Sequence, residues 1–313
     1  YVFRAEPPAG RTVGSFSPTQ FTVNYATVGA AAYRLEASSV PGFAGPVVLS
    51  STTDFALTSL AVTGLSANTT YFLRMGALWQ RTTAYGVVVP GDKATAAEPP
   101  AQAPETWLEL HESSAVVAWL RNGNPVDVTT YTVVASTGSV YPNPFSGNRT
   151  SSTAPAGNLP QGVVTGLAAN TTYHLHVAAV NHAGIVSAYA ALSATATRIE
   201  APAGLVFDEI STATLLARAT SAAGGFTNLT VGTSAVNIAL NGVFSGWVIG
   251  SSVTLSTGLT PNTQYAFKAK ARNMHGIETA ESPVVSTYTP AAVPSTATPT
   301  LLGLGVSSIS LQW

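Results

Sequence analysis

Apolar and polar residues alternate in short runs along the whole chain. The runs "QFTVNY" ending at Tyr25, "AVVAW" ending at Trp119, "TLLARA" around Ala217 and "SISLQW" ending at Trp313 each put every second side chain on one face. A period of two predicts half-buried strands, because successive side chains of an extended chain point to opposite sides. Clusters of Gly, Pro, Asn and Ser separate the runs, and no stretch of useful length keeps a helical period. The pattern predicts an all-β protein of sandwiches with about seven strands each.

The runs recur at domain spacing. "GLSANTTYFLRMGALWQ" begins at Gly64, "GLAANTTYHLHVAAVNHAG" at Gly166 and "GLTPNTQYAFKAKARNMHG" at Gly258. In each, a leucine lies six residues before a tyrosine: Leu65 and Tyr71, Leu167 and Tyr173, Leu259 and Tyr265. The tyrosines are 102 and then 92 residues apart. "AYRLEAS" with Tyr33, "TYTVVAS" with Tyr131 and "NLTVGTS" with Leu229 follow a beat of 98. Such a period marks an array of similar structural units.

The string Leu259, Pro261, Thr263, Tyr265, Phe267, Ala269, Ala271, Asn273, Gly276 resembles the signature that links the fifth and sixth strands of fibronectin type III domains. Trp119 and Trp313 resemble that family's buried tryptophan on the second strand. The resemblance covers nearly the whole chain. It implies tandem immunoglobulin-like sandwiches in which Tyr71, Tyr173, Tyr265, Trp119 and Trp313 belong to the structural cores. It also implies a corner before each tyrosine, closed by the phenolic hydroxyl bonding back to the chain. In a strand from Tyr173, the side chains of Tyr173, Leu175 and Val177 then face the core, while His174, His176 and Ala178 face outward. Two departures stand out. Tyr25 takes the tryptophan position in the first repeat, and only Leu and Ala are there in the third, which predicts a differently packed core. Trp79 stands where the other repeats have Asn181 and Asn273, in a longer loop.

Pro-bearing joints at 95–104, 198–204 and 288–299 separate the repeats, and short joints of that kind predict a semi-rigid string. The expected division is residues 1–5 as the last strand of a preceding domain, three domains at 6–97, 98–199 and 200–289, and the first strands of a further, incomplete domain at 290–313.

Composition narrows the function. Hydrophobic residues make up 46% of the 313 positions, enough for several cores, while charged residues are only 9% against roughly a quarter in an average soluble protein. With 13 Lys and Arg against 14 Asp and Glu, no basic stripe exists for nucleic acid and no polybasic patch for a membrane surface. No run of about 18 apolar residues is present, so no membrane insertion is expected in this segment. There is no cysteine, which excludes disulfides and thiolate metal sites.

His174 and His176 lie about 6.6 Å apart on one strand face, a spacing two zinc ligands could use. The aligned pairs are Phe72 and Arg74, and Ala266 and Lys268, so no third ligand accompanies them and an exposed surface is the expectation. Glu109 and His111 in "WLELHE" lack the helix and second histidine of a zincin. Asp208 and Glu209 are adjacent, point to opposite faces and make no acid and base pair. No phosphate loop or nucleophile elbow occurs, so no catalysis, cofactor or metal is expected. Sequons at Asn68, Asn148, Asn170 and Asn228 include two inside the repeated corner, whose sequence explains them without sugar. Candidate partner contacts are loop residues of types enriched at interface anchors: Trp79, Arg81 and Tyr85 in "LWQRTTAY", and Tyr141 and Phe145 in "VYPNPFSGN".

Taken together, these features predict a structural or adhesive stalk segment of a larger secreted or cell-surface repeat protein, located outside the cell. Its expected partners are a protein or a surface polysaccharide, or other copies of itself. Two alternatives are accessory spacer domains of a secreted polysaccharide-degrading enzyme, and a filament subunit completed by a neighbouring chain.

Overall fold

The computed structural model of the chain describes residues 5–80, 82–141, 147–153, 160–295 and 298–312. Arg81, Phe145, Trp313 and residues 1–4 lie outside the described residues. The chain divides into two compact units, Tyr1–Leu167 with Thr172–Thr195, and Ala168–Thr171 with Ala196–Trp313.

The first unit holds two sandwiches. In the first, β1 (Ala9–Phe16), β2 (Gln20–Ala26), β3 (Ala32–Ser38), β4 (Val47–Thr52), β5 (Ser59–Thr63), β6 (Thr70–Trp79) and β7 (Thr82–Ala94) run in the order β4-β3-β6-β7-β1-β2-β5. All neighbours are antiparallel except β1 and β7, which join in parallel at Thr12 and Val89 and link the two faces of the sandwich. The alternating residues Phe21, Val23 and Tyr25 of β2 and Leu73, Met75 and Ala77 of β6 are buried against one another, as their period requires. Tyr25 tilts against Tyr33 with ring centres 4.9 Å apart.

The second sandwich has β8 (Ala101–Leu110), β9 (Ser114–Leu120), β10 (Thr130–Ser136), β11 (Arg149–Thr153), β12 (Gln161–Thr165), β13 (Thr172–Val180) and β14 (Ala190–Ala196), in sheets ordered β11-β10-β13-β14 and β12-β9-β8. Trp119 is fully buried and packs on Tyr131, with ring centres 5.4 Å apart.

The second unit contains the third sandwich. Its strands are β15 (Pro202–Ile210), β16 (Thr214–Ser221), β17 (Ala235–Leu240), the short β18 (Val243–Phe244) and β19 (Val248–Ile249), β20 (Val253–Thr257), β21 (Gln264–Arg272) and β22 (Val285–Tyr288). They form sheets ordered β15-β16-β20 and β18-β17-β21-β22, with β19 also on β17. Here the beat of 98 fails. Tyr33 pairs with Ala77 and Tyr131 with Ala179, six residues past each corner tyrosine, and the equivalent Ala271 pairs with Val236, not Leu229. Residues 226–234 form turns instead of a strand, and Phe226 and Leu229 fold back onto the core. The core is packed differently: Ala219 and Val236 take the places of the aromatic pair, and the Phe207 ring tilts against Phe267 with centres 5.1 Å apart. The longer loop supplies apolar surface that the small residues leave out.

A last hairpin pairs β23 (Thr300–Leu304) with β24 (Ile309–Gln312). It repeats the opening hairpin of each sandwich in detail. The ladder shifts register between Val13 and Ser15, Trp107 and Glu109, Phe207 and Glu209, and Leu301 and Gly303. The turns close with the same bond, from the amides of Ser17, His111, Ser211 and Gly305 to the carbonyls of Gln20, Ser114, Thr214 and Ser308.

Candidate functional site

The repeated corner is the most constant piece of chemistry in the chain. Its glycine (Gly64, Gly166, Gly258) and its asparagine (Asn68, Asn170, Asn262) all have positive φ, a conformation these two residue types enter at least cost. The Tyr71 hydroxyl accepts from the amide of Ser66 at 3.0 Å, and the Tyr265 hydroxyl from Thr260 at 2.8 Å. Tyr71 and Tyr173 are buried, and Tyr265 is half-buried against its core.

A threonine 24 residues after each tyrosine completes the corner, at Thr95, Thr197 and Thr289. Each is buried. The hydroxyls of Thr95, Thr197 and Thr289 donate to the carbonyls of Ser66, Ala168 and Thr260 at 2.7, 2.7 and 2.6 Å. They accept from the amides of Thr69, Thr171 and Thr263 at 3.0, 3.1 and 3.1 Å. The turn's polar groups are thereby satisfied inside the protein.

The corner asparagines are bonded through their side chains within each unit. In the first unit, Asn68 Nδ2 donates to the hydroxyl of Thr129 at 2.7 Å and to the carbonyl of Val128, and its Oδ1 accepts from the amide of His182 at 2.9 Å. Asn181 returns the contact, with its Nδ2 donating to the carbonyl of Thr95 at 2.9 Å. The second unit repeats the arrangement. Asn170 Nδ2 donates to Ser234 Oγ at 2.9 Å and to the carbonyls of Thr227 and Asn228, Oδ1 accepts from Met274 at 2.9 Å, and Asn273 Nδ2 donates to the carbonyl of Thr197 at 3.0 Å. Asn68 and Asn170 are 2% and 0% exposed, so their sequon nitrogens are enclosed and occupied. At Asn68 the His182 ring adds contacts, with Nδ1 2.6 Å from Asn68 Oδ1 and Nε2 2.8 Å from the Thr70 hydroxyl.

The corresponding end of the first sandwich is built otherwise. Ala31 stands in place of Thr129 and Ser234, and Trp79 in place of Asn181 and Asn273. There a cavity of about 590 Å³ opens among Gly29, Ala31, Leu78, Trp79 and Gln80.

Among the described residues, Trp79, Tyr85 and Tyr141 have partners within their own sandwiches. Trp79 Nε1 donates to the carbonyl of Glu6 at 3.0 Å. Tyr85 is on β7 in a long hairpin with β6, not in a loop, opposite Gly76; a Cβ at Gly76 would lie 2.8 Å from its ring. Its hydroxyl donates to Glu36 at 2.7 Å, and the Arg74 guanidinium lies between the Tyr85 and Phe43 rings, 4.1 Å from each centre. Arg34 and Arg74 each approach the buried Glu36 carboxylate to 2.6 Å. The Tyr141 ring packs at a tilt against Tyr189, with centres 4.5 Å apart, and against His176 at 5.6 Å.

That packing corrects one expectation. The outward face of β13 is not exposed at His176, which is 3% accessible, because Tyr141 covers it and buried Val134 lies opposite on β10. No group of three His, Cys, Asp or Glu residues able to hold a metal occurs among the described residues. Glu109 and His111 form an exposed pair 3.6 Å apart, and Asp208 pairs with Arg218, whose hydrogen bonds hold the carboxyl below its usual range.

Burial lowers the pKa of His176 below its ordinary 6.5, and His174 pushes the same way. The unfolded imidazole gains a proton near pH 6.5 while the folded one resists, so stability present above that pH is lost as the pH falls toward the folded value. Thermal unfolding of the second sandwich should therefore weaken between pH 7 and pH 5, and His176→Gln should remove part of that loss. An identical pH dependence in the variant would show that another group is responsible.

No family model matches the sequence, and no curated protein matches it. In structure the chain is similar to a two-domain fibronectin type III segment of chicken tenascin, at 18% identity over 61% of this chain and all of that one, with a TM-score of 0.42. It is also similar to the FN1–FN3 segment of chicken CNTN1, at 14% identity over 91% of this chain and 99% of that one, with a TM-score of 0.27. The strand orders, the tyrosine corners and the recurrence of both along the chain define tandem fibronectin type III-like β-sandwiches.

Proposed function

We propose that this chain is a spacer segment of a larger secreted or cell-surface repeat protein, setting the distance between what lies at its two ends. The observation behind this reading is the repeated seat, in which Asn68 and Asn170 are each held by a hydroxyl, a carbonyl and a backbone amide in their own unit. A flexible tether has no use for buried polar joints, since each costs desolvation and is stable only when fully bonded. A spacer that must hold its geometry does. The hairpin at 300–312 carries the same register shift and closing turn as the opening hairpins of the three sandwiches. Trp79, Arg81, Tyr141 and Phe145, with Tyr85 on β7, are retained as partner contacts for a protein or a surface polysaccharide.

The reading is tested on intact cells of the source. An antibody raised against this segment should label unpermeabilised cells or the medium, and labelling confined to permeabilised cells would overturn it. The joint itself is tested by a double-mutant cycle. Asn68→Ala is expected to cost about 1–3 kcal/mol, because buried partners lose their bonds. Thr129→Val should couple to it by roughly 0.5–3 kcal/mol, as groups in one network do. Additive losses in the two single variants would mean that the Asn68 to Thr129 bond contributes nothing.

A further inference from the structure

We propose that the outer face of the first sandwich carries a binding groove for an acidic sugar unit of a polysaccharide, where β6 and β7 part; this rests on the reading of Tyr85 as a polysaccharide contact and gives that contact a ligand class. Across Phe72, Leu73 and Arg74 the ladder jumps from Asp92 to Val87, so residues 88–91 have no partners on β6, and β7 crosses to join β1 at Val89. The space left is a groove of about 380 Å³ walled by Gly42, Phe43, Phe72, Arg74, Tyr85 and Val87.

The groove has a charged end and an apolar wall. Phe43 and Tyr85 hold the Arg74 guanidinium between their rings. Its Nε donates to Glu36 Oε2 at 2.7 Å and its Nη2 lies 2.6 Å from the same oxygen, which leaves the Nη1 donors for an incoming carboxylate. The Glu36 side chain is 3% exposed and already serves Arg34 and the Tyr85 hydroxyl as well. Arg11, bonded to the carbonyls of Pro8 and Val87, adds a third guanidinium beside Gly86. Three arginines against Glu36 and the exposed Asp92 leave one positive charge, which an anionic group satisfies. Half-buried Phe72 and exposed Val87 offer apolar surface next to it.

The other sandwiches close the same position, three residues past the corner tyrosine. His176 holds it in the second, 3% accessible beneath Tyr141, and Lys268 in the third, where Glu281 pairs with it at 2.6 Å. The fold therefore does not require an open guanidinium here. A sugar suits the first sandwich better than a peptide. β6 lies inside the sheet between β3 and β7, and the gap opposite Leu73 is too short for an extended peptide to add as a strand. A pyranose ring needs no strand edge: its C–H face packs on apolar side chains, its carboxylate meets Arg74, and the volume is that of a small-ligand site.

The test is calorimetric titration of the 313-residue chain with oligomers of galacturonic and of glucuronic acid. One of them should bind, and the same oligomer with its carboxyl groups reduced to alcohols should bind about tenfold more weakly, as loss of a charged hydrogen bond predicts. Arg74→Lys keeps the charge without the planar fork and should lose a similar factor. Gly91→Leu puts a side chain on the groove wall, starting 3.3 Å from Val87, and should weaken binding while Arg74 and Glu36 stay in place. Unchanged amide exchange on β3 and β6 shows that each variant is folded. Equal binding of acid and reduced oligomers, competition by acetate as strong as by the oligomer, or binding of an acidic peptide alone overturns the proposal. Oligomer binding that both variants leave intact but Trp79→Ala abolishes overturns the groove and leaves a polysaccharide contact standing at Trp79. No oligomer binding by a segment that the antibody labels on intact cells overturns the groove and leaves the spacer standing.

Discussion

Replacing Trp119 by alanine is expected to destabilise the second sandwich by about 3–5 kcal/mol, the usual cost of emptying a large aromatic site in a core. The side chain is fully buried, its ring meets Tyr131 at 5.4 Å, and Val117, Val133 and Val177 belong to the same buried core. Neighbours held in paired strands collapse poorly into the space left. For a domain of this size the loss corresponds to a drop in Tm of more than about 10 °C. Because several sandwiches share the chain, a single melting curve mixes their transitions. Hydrogen exchange read on β9 and β13 assigns the loss to the right one. Trp119→Phe should lose much less, since most of the buried ring surface remains. Unchanged exchange in Trp119→Ala would mean that the tryptophan is not part of the core.

Trp119 and Tyr173 could be read from the sequence because a core aromatic in a period-two run leaves a mark that recurs. The third sandwich was harder. Its second strand carries Ala217 and Ala219, its third strand is displaced by seven residues, from Leu229 to Val236, and the intervening loop packs Phe226 and Leu229 inward. A strand and a loop that both bury apolar residues look alike in one sequence. His176 was misread for a related reason: alternation gives the two faces of a strand but not what lies over the outer one, and Tyr141 comes from 35 residues away.

The joints were invisible for a chemical reason. Thr95, Thr197 and Thr289 keep a spacing of 24 from the tyrosines, yet threonine is common in strands and on surfaces alike. Its role appears only once the turn's carbonyls and amides are seen converging on it. Asn68 and Asn170 can be explained by backbone conformation alone, and that explanation is correct but partial. Their side chains do separate work, and only the partner residues Thr129, Ser234, Asn181 and Asn273 disclose it.

Tyr71 separates the two contributions of the corner. Tyr71→Ala removes both the ring, which lies edge-on to Phe21 at 6.4 Å, and the hydroxyl that holds Ser66, and should cost the first sandwich about 3–5 kcal/mol. Tyr71→Phe keeps the ring and loses one hydrogen bond, for about 0.5–1.5 kcal/mol. The corner also supports the seat of Asn68, because Thr95 fixes the turn on which that residue stands. If hydroxyl and clamp act together, Tyr71→Phe should speed exchange at residues 182–185 in the neighbouring sandwich as well as in its own turn. If they act separately, the loss stays within the first sandwich while Asn68→Ala still loosens its neighbour. Equal losses in Tyr71→Phe and Tyr71→Ala would assign the whole effect to the hydroxyl and contradict the burial of the ring. The expected order, a large loss for Ala and a small one for Phe, makes the corner a hydrophobic anchor first and a hydrogen-bonded hinge pin second.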